Sequence, residues 1–281
     1  MEHNMKKLNC SLAVLAVLCV FSFAQAAEKP PKTPVQPADV PPVGTGPLLL
    51  DLTFEDVATG QIPKGFTKQG AVAVVEDVAH TGKKSLRMEP AVNGARTITL
   101  KGEILTQLGG EHWGRLYFKV KSPAPSPDTG VIHSTIVSGT ATSPSAKDPI
   151  DVRMLGSVEN NKGMFQYLYN VQPRTKRPEF GKGGSYKNKY SDEWTLAEWY
   201  VDYATQTYRL FINGEEIPDV ALHKGADKFE GVEIPAVFET LTFGWNNYQK
   251  AGTGFTVWID DIALAKDRIG TRGMPAAAPV K

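Results

Sequence analysis

Two neighbouring segments near the C-terminus, residues 238–249 and 255–264, constrain the fold of this chain most strongly. Both alternate large apolar residues with small or polar ones, which is the period of a β-strand that has one face on a core. The stretch between them, 250–254, contains glycines and has the composition of a turn. The pattern predicts a hairpin whose first strand ends in amide and aromatic side chains and whose second strand ends in Asp260 and Asp261. Amide, phenol and indole groups suit a sugar ligand, and carboxylates at a strand end suit a hard cation.

The remainder of the chain repeats this short alternating pattern. Residues 194–202 and 207–212 predict a second hairpin, and Asn213-Gly214 after them is a strong signal for a tight turn. Only 104–108 has the pattern of a helical turn. The other predicted strands are 48–55, 72–77, 85–89, 97–100, 113–120, 131–137, 149–155, 163–171 and 216–217. So many short strands predict an all-β domain of two antiparallel sheets, that is, a β-sandwich or jelly roll.

Residues 1–26 have the pattern of a secretory signal peptide. A basic start precedes an apolar stretch, and a small-x-small cleavage site ends at Ala26. We therefore expect a secreted protein, either extracellular or periplasmic. Both cysteines, Cys10 and Cys19, lie inside this peptide, so a mature chain that starts after Ala26 is expected to rely on its core rather than on disulfides.

The remaining sequence divides into three parts. Residues 27–47 are rich in proline and predict a disordered linker, 48–268 form one domain, and 269–281 predict a flexible tail. Removal of 1–26 leaves 29 basic and 29 acidic residues. This balance gives no overall field for nucleic acid, and the mature sequence has no apolar run long enough for a bilayer. We expect a monomer without a nucleic-acid or membrane partner.

Several motifs in 48–268 resemble those of a known family. Phe54-Glu55, the run 80–86 and the run 258–262 form the skeleton of secreted carbohydrate-active jelly rolls. The runs 112–118, 198–202 and 243–249 are similar to those of the fungal cellulose-induced core protein family and its relatives, the glucuronan lyases of polysaccharide lyase family 20. The resemblance implies a concanavalin-A-like β-sandwich.

The resemblance also implies a structural Ca²⁺ that joins the first strand, the following loop and the last strand. Its ligands would be carboxylates of Glu55 and of Asp260 or Asp261, together with main-chain oxygens near His80 and Lys83. Hard oxygen ligands fit Ca²⁺ better than a transition metal. The alternative is that the two aspartates simply end a strand and that Glu55 is solvated.

A lyase that cleaves a uronic-acid chain must screen the substrate carboxylate, remove the C5 proton and protonate the leaving oxygen. Residues of suitable type on polar strand faces are the candidates for this chemistry. The catalytic candidates are His112, His133, Arg153, Gln166 and Tyr248. The candidate substrate contacts are Arg115, Tyr117, Tyr169, Trp245, Asn246 and Asn247. The alternatives are ordinary structural roles: a satisfied histidine at a strand end, or a surface ion pair of Arg115.

A basic run between residues 174 and 189 supports an anionic ligand. Its six cations are Arg174, Lys176, Arg177, Lys182, Lys187 and Lys189, and only Glu179 opposes them. Glycines and prolines predict a loop. One interpretation is a solvated, variable loop, and the other is a rim that attracts an anionic polysaccharide.

Other classes of enzyme lack their signatures here. Sandwich hydrolases usually carry a Glu-x-Asp-x-Glu motif on one strand, and this sequence has none. It also has no Gly-x-Ser-x-Gly motif and no phosphate loop. Two hypotheses remain: a polysaccharide lyase that acts by β-elimination on a uronate-containing glycan, and a non-catalytic carbohydrate-binding protein on the same scaffold.

Overall fold

The computed structural model describes residues 40–121, 125–222 and 233–274. All of them belong to one compact unit, Val35–Lys281. The predicted signal peptide lies outside the described residues, as do most of the linker and the end of the tail. In the part of the chain that is described, no helix combines the length and the hydropathy needed to cross a bilayer.

Two antiparallel sheets make up the fold, as predicted. The front sheet has seven strands in the order β10-β9-β8-β7-β14-β5-β2. Its strands are β2 (Phe66–Gln69), β5 (Gly94–Leu100), β7 (Val131–Thr142), β8 (Pro149–Asn160), β9 (Phe165–Pro173), β10 (Phe180–Gly183) and β14 (Thr240–Asn247). The back sheet has eight strands in the order β13-β12-β11-β6-β15-β4-β3, and β1 also pairs with β15. Its strands are β1 (Leu48–Leu52), β3 (Val72–Val75), β4 (Ser85–Ala91), β6 (Glu111–Val120), β11 (Thr195–Asp202), β12 (Thr207–Ile212), β13 (Glu215–Glu216) and β15 (Phe255–Ala265). One short helix, α1 (Glu103–Leu108), precedes β6.

The core lies between the two sheets because alternate residues of each strand point inward. Phe243 and Trp245 of β14 face Val257 and Ile259 of β15 across this core, and all four side chains are fully buried. Burial of each such side chain contributes roughly 1.5–3 kcal/mol. The concanavalin-A-like β-sandwich expected from the sequence is therefore confirmed.

The predicted C-terminal hairpin is wrong. Segment 240–247 belongs to the front sheet and segment 255–265 to the back sheet, so the chain crosses the sandwich between them. Both strands bury every second residue in the same core, and this period is the same for a hairpin and for a sheet-to-sheet crossing. Periodicity alone therefore could not distinguish the two connections.

Local turn chemistry predicted other features correctly. Strands β11 and β12 pair as a hairpin, and Asn213 and Gly214 then both adopt positive φ, at 51° and 86°, in the tight turn to β13. Two short edge strands, β2 and β10, were not predicted. Strand β10 lies inside the basic run and contains Gly181 and Gly183, which hide its pattern.

Gly114 of β6 marks a close approach between strands. A Cβ atom at this position would lie 1.9 Å from Cζ2 of Trp199, whose ring is fully buried in the core. We expect Gly114→Ala to destabilise the fold by about 1–3 kcal/mol, because the ring has no free space to move into. Gly183→Ala in β10 is the matched control, since its Cβ would meet only ordinary contacts at 3.5 Å. Denaturant unfolding of both variants would test this, and equal stability of the two would contradict it.

Candidate functional site

The outward side of the front sheet is a polar surface, which we call the front face. Core residues such as Ile98, Ile132, Val152 and Phe243 point inward, so their strand neighbours point out. The polar residues at outward positions include Thr97, Thr99, His133, Thr135, Ser138, Thr140, Asp151, Arg153, Gln166, Asn170, Gln172, Thr240, Thr242, Asn246 and Tyr248. Five of the predicted site residues lie on this face: His133, Arg153, Gln166, Asn246 and Tyr248.

His133 and Tyr248 are neighbours across β7 and the end of β14. The Tyr248 N–H donates to the His133 carbonyl at 3.0 Å, which continues the register of Thr135 opposite Asn246. Cross-strand neighbours of this kind have Cβ atoms about 4.5–5.5 Å apart. The His133 N–H donates to Oε1 of Gln249 at 2.7 Å, so the Gln249 side chain satisfies this main-chain donor where the pairing of β7 with β14 ends. The fold therefore brings together the phenol and the imidazole of two catalytic candidates from the sequence.

Arg153 joins the pair from β8. Its Nε donates to Oγ1 of Thr135 at 2.5 Å, and Cζ lies 5.1 Å from the centroid of the Tyr248 ring. The Tyr248 hydroxyl is 3.4 Å from the same Thr135 oxygen. Arg153 is only 4% exposed, whereas Tyr248 is 46% exposed. The ring thus lies at the surface with a desolvated cation at its side, where charge interactions are stronger than in water.

Neither terminal nitrogen of Arg153 bonds to a described residue, and neither is sealed from solvent. The guanidinium therefore keeps donors for a ligand. Gln166 lies in the same row as His133, separated from it by Val158 of β8. Asn246 lies beside Thr135. Amide groups thus stand within a few strand spacings, each about 4.8 Å, of the guanidinium.

Three other predicted residues, His112, Arg115 and Tyr117, lie on β6 in the back sheet, away from the front face. His112 is fully buried against Phe238, and burial lowers the pKa of its imidazole to about 4. Tyr117 stacks on the His80 ring at 3.5 Å.

Arg115 is buried under the C-terminal segment. Its Nη1 donates to the carbonyls of Gly270, at 3.1 Å, and Arg272, at 2.6 Å, and the side chain has no exposed surface. Glu198 accepts a hydrogen bond from the Gly270 N–H at 2.6 Å. Residues 269–274, assigned to the tail from the sequence, are thus held on the back sheet, and Arg115 has a structural role there.

Tyr169, Trp245 and Asn247 lie in the front sheet but point into the sandwich. Tyr169 and Trp245 are fully buried, and Oδ1 of Asn247 accepts a hydrogen bond from Nη2 of Arg96 at 3.0 Å. Successive residues of a strand face opposite sides. The run 245–247 therefore cannot present all three side chains to one sugar, and only Asn246 of this run reaches the front face.

The basic run is largely engaged within the protein. Arg174 pairs with Asp151, Arg177 with Asp148 and Glu233, and Lys187 with Asp219. Lys182 donates to the Ala221 carbonyl. Within the described residues no ion pair involves Lys176 or Lys189. The pairing reduces the positive field that this segment projects onto a ligand.

The predicted calcium residues converge on the loop between β3 and β4. Oδ2 of Asp260 accepts hydrogen bonds from the N–H groups of His80, at 2.8 Å, and Thr81, at 3.3 Å. Oδ2 of Asp261 lies 2.6 Å from Nδ1 of His80. Oε1 of Glu55 accepts from the N–H of Lys83 at 2.9 Å. Carboxylates near both ends of the domain thus hold one short loop.

A β-bulge explains how two adjacent aspartates can point to the same loop. The register of β15 against β6 shifts between Asp260 and Ala263, and Asp261 has a positive φ of 50°. This conformation is costly for a residue other than glycine and re-aims the side chain. Both carboxylates are fully buried, and burial next to Asp261 raises the pKa of Asp260 to about 8.

The buried carboxylates of Asp260 and Asp261 are the type of ligand that a hard cation prefers. Of the two buried carboxylates, only that of Asp261 has an ion-pair partner among the described residues, the ring of His80, so their charge is poorly compensated. No group of three or more His, Cys, Asp or Glu side chains is placed to hold a metal in the described part of the chain. A bound cation would therefore need main-chain oxygens of the loop, as the family resemblance implies.

Sequence reasoning missed Thr135, which connects Arg153 and Tyr248, and Gln249, which bonds to His133. The strand period places Thr135 on the same face as His133, so this residue could have been found. Two pockets lie elsewhere: one of about 490 Å³ lies beside Trp113 and Tyr200, and one of about 350 Å³ beside Phe165 and Tyr190. The candidate site is an open face, which suits a polymer better than a small molecule.

No protein-family model matches the sequence, and no curated protein is significantly similar to it. Solved structures do share the fold. The cellulose induced protein Cip1 is 18% identical, with a TM-score of 0.51 over 79% of this chain and 99% of its own. A conserved carbohydrate esterase from Shiga toxin-encoding bacteriophage phi24B is 14% identical, with a TM-score of 0.51 over 78% of this chain and 97% of its own. The alginate lyase Aly36B is 12% identical, with a TM-score of 0.50 over 78% of this chain and 97% of its own. At these identities the likeness shows a common fold.

Proposed function

We propose that this protein is a secreted polysaccharide lyase that cleaves a uronate-containing glycan by β-elimination on the front face. The observation that carries the proposal is the cluster of Arg153, Tyr248 and His133. It combines a desolvated guanidinium with a phenol and an imidazole on adjacent strands. Two of the structures that share the fold are described as a carbohydrate esterase and an alginate lyase, which supports a glycan as the ligand.

Each member of the cluster has a role in this reaction. Arg153 pairs with the uronate carboxylate, with Gln166 or Asn246 as a further donor, and stabilises the negative charge that builds up when the C5 proton leaves. The base takes the proton from C5, the C4–O bond breaks, and a C4=C5 double bond forms. A proton is delivered to the leaving oxygen. Tyr248 and His133 supply these two transfers, since Tyr248 lies beside the guanidinium and His133 is its cross-strand neighbour on the same face.

A second candidate function is glycan binding without catalysis. The observation in its favour is the exposure of Tyr248, at 46%, on a face otherwise rich in hydroxyl and amide groups. Exposed aromatic rings offer sugars an apolar surface, and the neighbouring polar groups bond to their hydroxyls. This function needs no proton transfer.

The two functions are separated by incubating the full mature chain with uronate-containing glycans and following the ultraviolet absorbance of the unsaturated product. Lyase activity predicts new absorbance together with shorter chains. Binding to the same glycans in calorimetry without any unsaturated product would reject the lyase and favour the binding protein.

We also infer that the loop between β3 and β4 holds a structural Ca²⁺, with carboxylates of Glu55 and of Asp260 or Asp261 and main-chain oxygens near His80 and Lys83 as ligands. The cation would offset the buried negative charge of the two aspartates. It would tie β15 to the start of the domain and take no part in the chemistry.

Removal of calcium is expected to lower the melting temperature of the protein, and added Ca²⁺ should restore it. A ligand that binds only the folded state stabilises it by about 2.7 kcal/mol at a hundredfold excess over its dissociation constant. Glu55→Ala should abolish this response. Asp56→Ala, a change at the neighbouring exposed carboxylate, should retain it. A melting curve that does not respond to EDTA in metal-free buffer would reject the calcium site.

A further inference from the structure

Charge is distributed unevenly over the front face. Arg153 is the one Arg or Lys at an outward position of the described front-sheet strands. It forms no ion pair with a described residue. The nearby Arg174 does not add a second free cation, because its guanidinium binds both carboxylate oxygens of Asp151, at 2.8 and 2.6 Å. Within the strands of the front face, Arg153 is therefore the one cation available to a carboxylate.

Apart from the ion pair of Asp151 with Arg174, the surface on either side of Arg153 carries neutral hydrogen-bonding groups. Along the strands, Thr99 and Thr242 lie 3.0 Å apart through their hydroxyls, and Thr140 and Thr240 lie 2.8 Å apart. Across the strands, Gln166 lies on one side of the site and Thr97 on the other. These are the hydroxyl and amide groups that bond well to uncharged sugars. A glycan would therefore meet neutral hydrogen-bonding groups next to Arg153 whether it runs along the strands or across them.

Acidic residues border this surface on the side of β9 and at the ends of β7 and β14. Glu179 accepts hydrogen bonds from Nδ2 of Asn170 and from Nε2 of Gln172, the latter at 3.1 Å. Glu239 accepts from Oγ1 of Thr142 at 3.1 Å near the ends of β7 and β14. A carboxylate of the ligand placed beside either group would be repelled by like charge.

The physical consequence concerns each successive sugar of the ligand. A uronate at Arg153 gains a charge-assisted hydrogen bond. A uronate at a flanking position would lose part of its hydration without gaining a cation, and that desolvation is costly. A neutral sugar at the same position meets hydroxyl and amide partners and incurs no such penalty.

We infer that the site accepts one uronate at Arg153 with neutral sugars on both sides, so that the ligand is a glycan with isolated uronates and not a polyuronate. This inference specifies the substrate class of the lyase proposed above and rests on the same site.

Two linear tetrasaccharides test it with the full mature chain. One consists only of 4-linked uronates, and the other has a single internal 4-linked uronate between neutral sugars. Calorimetry measures their binding at 0.15 M salt, and ultraviolet absorbance follows their cleavage. We expect the single-uronate ligand to bind about tenfold more tightly. Equal or tighter binding of the all-uronate ligand would overturn the inference, whereas cleavage of either ligand would still support the lyase. Tighter binding of the single-uronate ligand without cleavage of either would reject the lyase and support the inference.

A substitution of Glu179, one of the acidic residues at the border of the surface, tests the charge argument directly. Glu179→Gln removes the negative charge and keeps the size of the side chain. Its single amide oxygen can accept from Asn170, whereas Gln172 loses its acceptor, because the two amides bond to different carboxylate oxygens of Glu179. The substitution should improve binding of the all-uronate ligand and leave the single-uronate ligand unchanged. Glu103→Gln, on the exposed side of α1, is the control and should change neither. An equal effect of Glu179→Gln on both ligands would show that this residue acts through packing and would count against the inference.

Discussion

Tyr248→Phe is expected to reduce the turnover number of the proposed lyase at least about 100-fold, because a positioned acid or base contributes about 10²–10⁴-fold to the rate. The substitution removes one hydroxyl, whose only described contact is the long 3.4 Å approach to Thr135. The ring and its contact with Arg153 remain. KM should therefore change little, since an interaction made only in the transition state lowers kcat and kcat/KM together.

A matched control is Tyr203→Phe. Tyr203 is 43% exposed, nearly as much as Tyr248, but it lies beside Gly110 at the start of β6 and not on the front face. It should leave both constants unchanged. If Tyr248→Phe keeps full turnover, Tyr248 is not an acid or base in the reaction. If it weakens binding while no glycan is cleaved, the ring serves the non-catalytic binding protein.

The sequence predicted the strands better than their partners. Alternation of apolar and polar residues located most strands, because burial of one face is a local property that repeats every second residue. Partner choice depends on contacts between distant segments. For this reason 240–247 and 255–265 were identified as strands but assigned to one hairpin, although they lie in different sheets.

The same distinction applies to the site. The strand period placed His133, Arg153, Gln166, Asn246 and Tyr248 at polar positions, and the sheet order brings them onto one face. Residue type was a poorer guide. Arg115 has the chemistry of a carboxylate ligand, but carbonyl groups more than 150 residues away in the chain satisfy it in the interior. Such long-range partners leave no local signal in the sequence.

Glu159 is a buried acid on the inward side of β8, below the candidate site. It is 1% exposed and accepts hydrogen bonds from Ser134 at 3.0 Å, from Ser157 at 2.5 Å and from the hydroxyl of Tyr190 at 2.8 Å. No Arg or Lys pairs with it among the described residues. Burial outweighs these three hydrogen bonds and raises the pKa of Glu159 from its ordinary value of 4.5 to about 7. The folded state therefore favours the protonated acid.

The stability of the protein should fall as pH rises from about 4.5 to about 7, because the unfolded chain releases this proton first and the folded chain retains it. Below this range both states are protonated and no penalty exists. Above it the penalty is complete, at about 3 kcal/mol for a shift of this size. Glu159→Gln cannot ionise, so its advantage over the native protein in free energy of unfolding should grow by about that amount between pH 4.5 and pH 8. Asp260 also has a raised pKa, but it is present in both proteins and cancels in the comparison.

Denaturant unfolding across this pH range measures the difference in free energy of unfolding between the native protein and Glu159→Gln. A second variant, Tyr190→Phe, should change the pH dependence in the opposite direction. Loss of the Tyr190 hydroxyl removes a donor that favours the ionised carboxylate, so the pKa of Glu159 should rise further and the pH-dependent loss of stability should become larger. A parallel pH dependence in the native protein and in Glu159→Gln would show that the buried carboxyl does not titrate in this range. If stability falls more steeply with pH in Tyr190→Phe and less steeply in Glu159→Gln, the pH dependence belongs to the Glu159 carboxyl, because this carboxyl is the one titrating group that both substitutions affect.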